Sequence, residues 1–533
     1  MTALRLLPPL PARALRPALR PALRAALLAA PLLLGACTSL APPYETPALP
    51  VPATFDAATA DPDPIAPAWT PKGLTARESF VLDARLRTLL GLALADNREL
   101  RVAMLAVERA RAQYGIAQAE RLPTLSAAAS ASRTRTADDL AAAGRGNTAS
   151  LYNASIGLAS WEIDFWGRVR NLNEAALQDF LRSQASRDSV RVALAAELML
   201  AWLNLDADAR RLQLARATLA TREHQLALTQ RTHELGAASG LTLAQVQTTV
   251  DGARADAAAF QAQVARGRNA LALLAGRPVP DNLLPASVSQ PPPAPEGPDG
   301  HSAQNVQETQ ETPDTQQAVP RLPEAAAPAT ALPALAAGAP SHLLLARPDV
   351  RAAEHTLAAS QAQIGVARAA FFPSISLTAS AGTASNALSG LFAGGNGTWS
   401  FAPQLRLPIF DAGRNQANLR VAEVARETAL AQYERVIQVA FREVMDALAE
   451  RATLDERLAA QRSLVDATQR TLVLSQARFR LGADNYLAVL DAERALYAAQ
   501  HGLIALQLAE QANRVALYRA LGGQWQVAAA DRE

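Results

Sequence analysis

The side chains able to do chemistry are few in this chain and do not assemble into a catalytic set. The six histidines stand at 224, 233, 301, 342, 355 and 501. None belongs to an HExxH pair, which would set two zinc-binding imidazoles and a general base on one helical face. His224 and His233 share a helical stretch without the i, i+4 spacing of paired ligands, so they read as surface residues. A GxSxG elbow, a phosphate loop and a GxGxxG turn are all absent from the sequence. The glycine-rich Gly394-Gly395-Asn396-Gly397 reads more simply as a strand connection than as a nucleotide cradle. The sequence therefore predicts no enzyme, no cofactor and no metal site.

Cys37 is the one residue whose neighbours point to chemistry. It is the only cysteine, so no disulfide within the chain is possible. Arginines at 5, 13, 16, 20 and 24 precede the apolar segment Ala25 to Leu34, which is too short to span a bilayer but suits the apolar core of an export signal. Leu34-Gly35-Ala36 then leads into Cys37 in the order of a lipobox. That order predicts cleavage before Cys37 and acylation of its sulfur and amine. Thr38 in place of an aspartate predicts release to the outer membrane.

The elements that follow are organised around Arg168 to Leu235, a stretch with neither glycine nor proline. Its Ala, Leu, Arg, Gln and Glu lose little entropy in a helix. As one helix it would run roughly 100 Å at about 1.5 Å per residue. It opens after Gly167 and closes at Gly236; about 246 residues on, a second such stretch opens after Gly413 and closes at Gly482. The chain reads as a tandem duplication. In the first copy a helix over 82–121 stops at Pro123, and Leu125, Ala127, Ala129 and Ala131 alternate with small or polar residues. A turn-rich loop follows, and Tyr152, Ala154, Ile156 and Leu158 alternate likewise. The second copy repeats this with Ile375 to Ala381 and Trp399 to Leu407. The helices 82–121 and 241–274 together nearly match the long helix in length, so each copy is expected to be a rod with a hairpin at one end and a helical turn at the other.

Six segments result: a signal peptide over 1–36, a lipidated tether over 37–81, repeats over 82–276 and 341–523, a polar proline-rich insertion over 277–340 and a tail over 524–533. The middle of the insertion, 289–333, is expected to bury nothing, given its Pro, Gln, Thr and Glu content. A net charge of +2 with both signs interleaved argues against nucleic acid. Apolar residues make up 50% but aromatics only 5%, which suits close alanine-lined helix packing.

Strands of roughly ten residues match the length of a membrane-spanning β-strand. Four cannot close a barrel, since the smallest need about eight, so strands in the membrane would require partner copies. A soluble sheet capping a helical rod is the simpler alternative. The lipobox and the aromatics Tyr152, Trp161, Trp399 and Phe401 near the strand ends favour the membrane. Stripes such as Ala422, Ala425, Ala429, Val436 and Ala440 have coiled-coil spacing, but a plain coiled coil leaves the hairpins unexplained.

Cys37 with Pro43-Tyr44, Trp161 to Arg168, Arg347 to Glu354, Ile364 to Pro373, Leu407 to Arg414 and the closing Leu517 to Trp525 resemble, in this order, the TolC-type outer-membrane efflux factors. Within that family they are most similar to the OprM/NodT-like lipoprotein branch. The insertion over 277–340 is the main departure. The resemblance implies a mainly α fold with transmembrane β: each tandem-repeat protomer gives four strands to a trimeric β-barrel joined to a long periplasmic α-helical barrel. It implies an outer-membrane protein, lipid-anchored at Cys37, that exports small molecules as part of a tripartite system. The implied partners are two further copies, outer-membrane lipid, a periplasmic adaptor and an inner-membrane pump of the resistance-nodulation-division type. The turns at Gly236-Ala237 and Gly482-Ala483 would contact the adaptor. Leu487 and Asp491 would form the gate, with Ala488 standing where the TolC branch has a second aspartate. A type I secretion outlet and a non-conducting periplasmic lipoprotein are the alternatives.

Overall fold

The computed structural model describes residues 39–55, 80–137, 139–140, 147–289, 329–330 and 341–523. Cys37 and the tail 524–533 lie outside the described residues. In chain order the elements are α1 (Ala84–Asp96), α2 (Arg98–Ala119), β1 (Leu125–Arg135), β2 (Thr148–Ile163), α3 (Arg168–Glu234), α4 (Gly240–Ala275), the single turn α5 (Ala286–Ser289), α6 (Pro348–Ala369), β3 (Ser374–Ser385), β4 (Gly397–Arg406), α7 (Arg414–Arg480) and α8 (Tyr486–Ala520). Both long helices have 67 residues, and α7 starts and ends 246 positions after α3. The chain divides into two compact units, the described parts of Met1–Pro47, Val107–Ser183 and Ala353–Tyr433 in one and of Ala48–Ala106, Gln184–Ala352 and Glu434–Glu533 in the other.

The first unit holds an antiparallel sheet in the order β1-β2-β3-β4. Its register places Leu125 beside Leu158, Leu158 beside Ala379 and Ala379 beside Phe401, and in the same way Ala127, Ile156, Ala381 and Trp399. Because successive side chains point to opposite faces, these apolar rows share one face. The intervening rows, such as Ser126, Gly157, Ser380 and Ser400, are small or polar. Near the end of β2 the register shifts between Leu158 and Trp161, where Ser160 takes φ 50° and donates its N–H to the Thr378 hydroxyl at 3.1 Å. This bulge inserts one residue, so Trp161 and Ile163 return to the apolar face opposite Leu377 and Ile375. Trp166 stacks on Phe372 with centroids 4.6 Å apart and donates its indole N–H to the Pro373 carbonyl at 2.9 Å.

The second unit is built on a core in which Leu86, Leu89, Leu90 and Ala93 of α1 pack against Leu198, Met199, Trp202 and Leu205 of α3, Leu271 and Ala275 of α4, and Val515 and Tyr518 of α8. Two expectations change here. The helix expected over 82–121 is broken at Asn97, which is buried; its side-chain amide donates to the Leu274 carbonyl at 2.9 Å and its oxygen accepts the Leu100 N–H at 2.9 Å. A buried asparagine satisfied from outside the helix starts a new one, which apolar spacing alone does not register. The insertion also buries a piece of itself. Ala329 enters this core, and Thr330 beside it is buried, bridged to Val81, with its hydroxyl donating to Gln511 at 3.0 Å.

Candidate functional site

Each long helix ends the same way. Gly236 and Gly482 take φ of 75° and 72°, a left-handed conformation that side chains resist, and a Cβ at either would meet nothing. The N–H of Ala237 reaches the Thr232 carbonyl at 2.8 Å and that of Ala483 the Arg478 carbonyl at 2.9 Å. Gly236 and Gly482 donate to His233 and Phe479 at 2.9 Å each, completing the paired bonds of a Schellman stop. Three residues on, Ser239 and Asn485 cap α4 and α8 by accepting the N–H groups of Thr242 at 3.1 Å and Ala488 at 3.3 Å. Local chemistry thus turns the chain through about the same six residues twice.

The two turns differ in their braces. In the first, the His233 ring nitrogen Nδ1 lies 2.7 Å from the Ala238 carbonyl. In the second, Arg478 grips Asp484 through Nε at 2.6 Å and Nη2 at 3.0 Å. That hydrogen-bonded charge holds the Asp484 carboxyl below its ordinary value. Ala237 and Ala483 are exposed. Leu235 and Leu481, one before each glycine, are 82% and 84% exposed. Sequence reading passed over these leucines. Their signal was available: the same apolar residue stands at the same place in both turns.

Just past the second turn, α8 has two faces. Val489, Ala492 and Leu496 are buried with Leu472 of α7. Leu487 and Asp491, one helical turn apart, lie on the exposed side, where Asp491 pairs with Arg494 at 3.3 Å. On the buried side Arg222 of α3 donates to the Thr249 carbonyl at 2.9 Å and lies 5.5 Å from the Tyr497 ring centroid. The Tyr497 hydroxyl donates to Asp256 at 3.1 Å. Burial pushes the Glu493 carboxyl up, against a smaller opposing pull from Arg222. The structure therefore brings Gly482, Ala483, Leu487 and Asp491 into one stretch of the second unit, with Gly236 and Ala237 on the matching turn of the other repeat. Among the described residues no cluster of three or more His, Cys, Asp or Glu could hold a metal, and no helix is long and apolar enough to cross a membrane.

The family model for the outer membrane efflux protein matches residues 89–277 and 339–523. The chain belongs to that family. It is 41% identical over 497 residues to the outer membrane protein OprJ of Pseudomonas aeruginosa, covering 93% of this chain and 94% of OprJ. It is 39% identical over 501 residues to the toluene efflux pump outer membrane protein TtgC of Pseudomonas putida, covering 92% and 94%. Among solved structures, a Pseudomonas aeruginosa membrane protein aligns with a TM-score of 0.74 at 40% identity over 92% of this chain and 98% of that one. The open Neisseria gonorrhoeae MtrE outer membrane channel aligns with a TM-score of 0.73 at 34% identity, covering 91% and 98%. This efflux protein thus has the TolC-like channel fold and is an outer-membrane component of efflux, as the resemblance in its motifs implied. The two matched segments cover most of the two repeats and leave 278–338, nearly all of the insertion, unmatched.

Proposed function

We propose that three copies of this chain form one passive conduit through the outer membrane, receiving small molecules from an inner-membrane pump through a periplasmic adaptor. The observation that carries this reading is the sheet: one face apolar, one face small and polar, and edge strands β1 and β4 each paired on one side only among the described residues. An apolar face suits lipid and a polar face suits a water-filled lumen. Unpaired edge groups are costly in a bilayer, so the edges must meet other strands. Three four-stranded sheets exceed the roughly eight strands that the smallest closed barrels need. The repeats 82–276 and 341–523 would each give one hairpin, Cys37 would carry lipid at the start of the mature chain after removal of 1–36, and 37–81, 277–340 and 524–533 would be tether, insertion and tail. The name of TtgC supports an organic cargo such as a solvent. A pump of the resistance-nodulation-division type is the partner that the OprM-like resemblance favours.

In this reading Leu487 and Asp491 line the constriction, a ring of leucine closing by dewetting beside a ring of carboxylates that attracts cations. Both side chains are exposed in the single chain, as a pore-lining pair must be. Purified protein in planar bilayers tests this. The wild type is expected to conduct poorly and favour cations. Leu487→Ala with Asp491→Ala should raise conductance and weaken cation selectivity, whereas Leu474→Ala with Asp466→Ala, exposed positions on α7, should change neither. No conductance from wild type or variant would return the chain to a non-conducting lipoprotein, and a double variant behaving as wild type would move the gate elsewhere.

A further inference from the structure

The first described residues of the chain are held in a groove that has the features of a peptide-binding site. Its floor is one stripe of α6, where Glu354, Gln361, Gly365 and Arg368 recur at helical spacing. Ser39 donates its hydroxyl to Oδ1 of Asn171, in the first turn of α3, at 2.8 Å. Arg368 donates to the Leu40 carbonyl at 3.3 Å. Pro42 and Pro43 have no N–H, so only their carbonyls can be recognised, and Nε2 of Gln361 donates to both at 3.2 and 2.5 Å. Tyr44 donates its hydroxyl to Glu354 at 3.3 Å.

The groove is built rather than incidental. Gln361 is 6% exposed and its oxygen accepts from Arg426 of α7 at 3.0 Å, which fixes the amide with its donors toward the prolines. Asn171 is 4% exposed, and its Nδ2 has no hydrogen-bond partner among the described residues. Gly365 is what lets the segment in: a Cβ there would come within 2.8 Å of the Ala41 nitrogen and strike Nδ2 of Asn171. Two consecutive prolines also keep the ordering cost of the bound segment low.

We propose that Glu354, Gln361, Gly365, Arg368 and Asn171 form a peptide-binding site whose ligand is this chain's own Ser39–Tyr44, and that this docking, independent of any acyl group, seats the start of the mature chain. It rests on the lipoprotein reading only for its consequence: Cys37 stands two residues before Ser39, so the dock fixes where its lipid is delivered.

The test uses the full chain in membranes with Leu40→Cys as the thiol to be labelled, Cys37 being either acylated and blocked or replaced by serine. Maleimide should react slowly in both backgrounds. Adding Gly365→Leu should speed the reaction about tenfold or more, as expected when local opening replaces a docked state. Cleavage after Glu45 by a glutamate-specific protease should accelerate in parallel. Palmitate labelling of Cys37 should persist in the Gly365→Leu chain. Should that chain fail to give stable oligomers, Gln361→Ala removes both proline contacts without filling the groove and should free the segment as well. The proposal falls if neither variant changes labelling, or if Cys37→Ser alone frees residue 40. Absence of palmitate from the wild-type chain would instead overturn the lipoprotein reading and leave the dock standing.

Discussion

Arg347, near the start of the second repeat, has a side chain only 7% exposed, and its donors are directed at three partners. It pairs with Asp349 at 2.7 Å and Glu443 at 2.9 Å and donates to the Ala520 carbonyl at 2.7 Å. Removing one partner of a buried pair leaves uncompensated charge, which costs about 3–5 kcal/mol when burial is complete. Here Asp349 and Glu443 keep 37% and 25% of their side chains exposed, so water softens the loss. Arg347→Ala is expected to destabilise the second unit by about 2–3 kcal/mol, read as lower thermal stability of the helical circular dichroism in detergent. Burial pushes the Asp349 carboxyl up, but the hydrogen bonds and charge of Arg347 outweigh it and hold the group below its ordinary value. A depressed carboxyl adds stability that is complete above its unfolded value, about 3.9, and is lost as pH falls through the folded one. Acid below about pH 4 should therefore cost the wild type more stability than it costs Arg347→Ala. The motif Arg347-Pro348-Asp349 was legible as a family marker, but its burial was not, because Glu443 and Ala520 are distant in sequence.

At the scale of elements, the paired turns were the most legible part of the candidate site, since every signal in them is local. A stretch free of glycine and proline ending at a glycine gave Arg168 to Leu235 against an observed Arg168–Glu234. Features that depend on long-range partners were not legible. Asn97 breaks a helix by bonding to Leu274, Ser160 shifts a register against Thr378, and Ala329 finds a core in a polar insertion. The turns also allow a clean local prediction. A Cβ at Gly236 or Gly482 meets no atom, so alanine there costs only the left-handed conformation, about 1–2 kcal/mol. Gly236→Ala and Gly482→Ala should each speed amide hydrogen exchange in their own turn and leave the other unchanged. Asp484→Ala should do the same at the second turn alone, because the first carries Ala238 in that place and has no ion pair to lose.

For the whole molecule, the proposed joining of copies rests on the sheet, and the proposed contact with an adaptor rests on the turns. Apolar alternation gave the number of strands, and the register adds that their apolar rows align across all four. Leu487 and Asp491 became candidates through family likeness alone, since an exposed aspartate near a helix start has an ordinary explanation in the helix dipole. The proposed contact at the turns has an observation of its own to argue from. Leu235 and Leu481 are exposed large apolar residues at matching places, beside Ala237 and Ala483, with no packing role in the single chain to explain them. Such residues on a capped turn suit a protein contact, with the leucines as anchors and the alanines leaving room for a partner backbone. Cysteines at Ala237 and Ala483, in a chain with Cys37 replaced by serine, are expected to crosslink to a co-expressed adaptor. Cysteines at Asn147 and Ser389, in the segments connecting β1 to β2 and β3 to β4, should remain uncrosslinked. Leu235→Ser with Leu481→Ser should reduce the yield while oligomers survive, since both side chains are exposed and their loss opens no core. Crosslinking from Asn147 or Ser389 in place of the turns would reverse the proposed orientation of the chain in the membrane. An undiminished yield in the serine variant would remove the leucines from the contact and leave recognition to the backbone and caps of the turns.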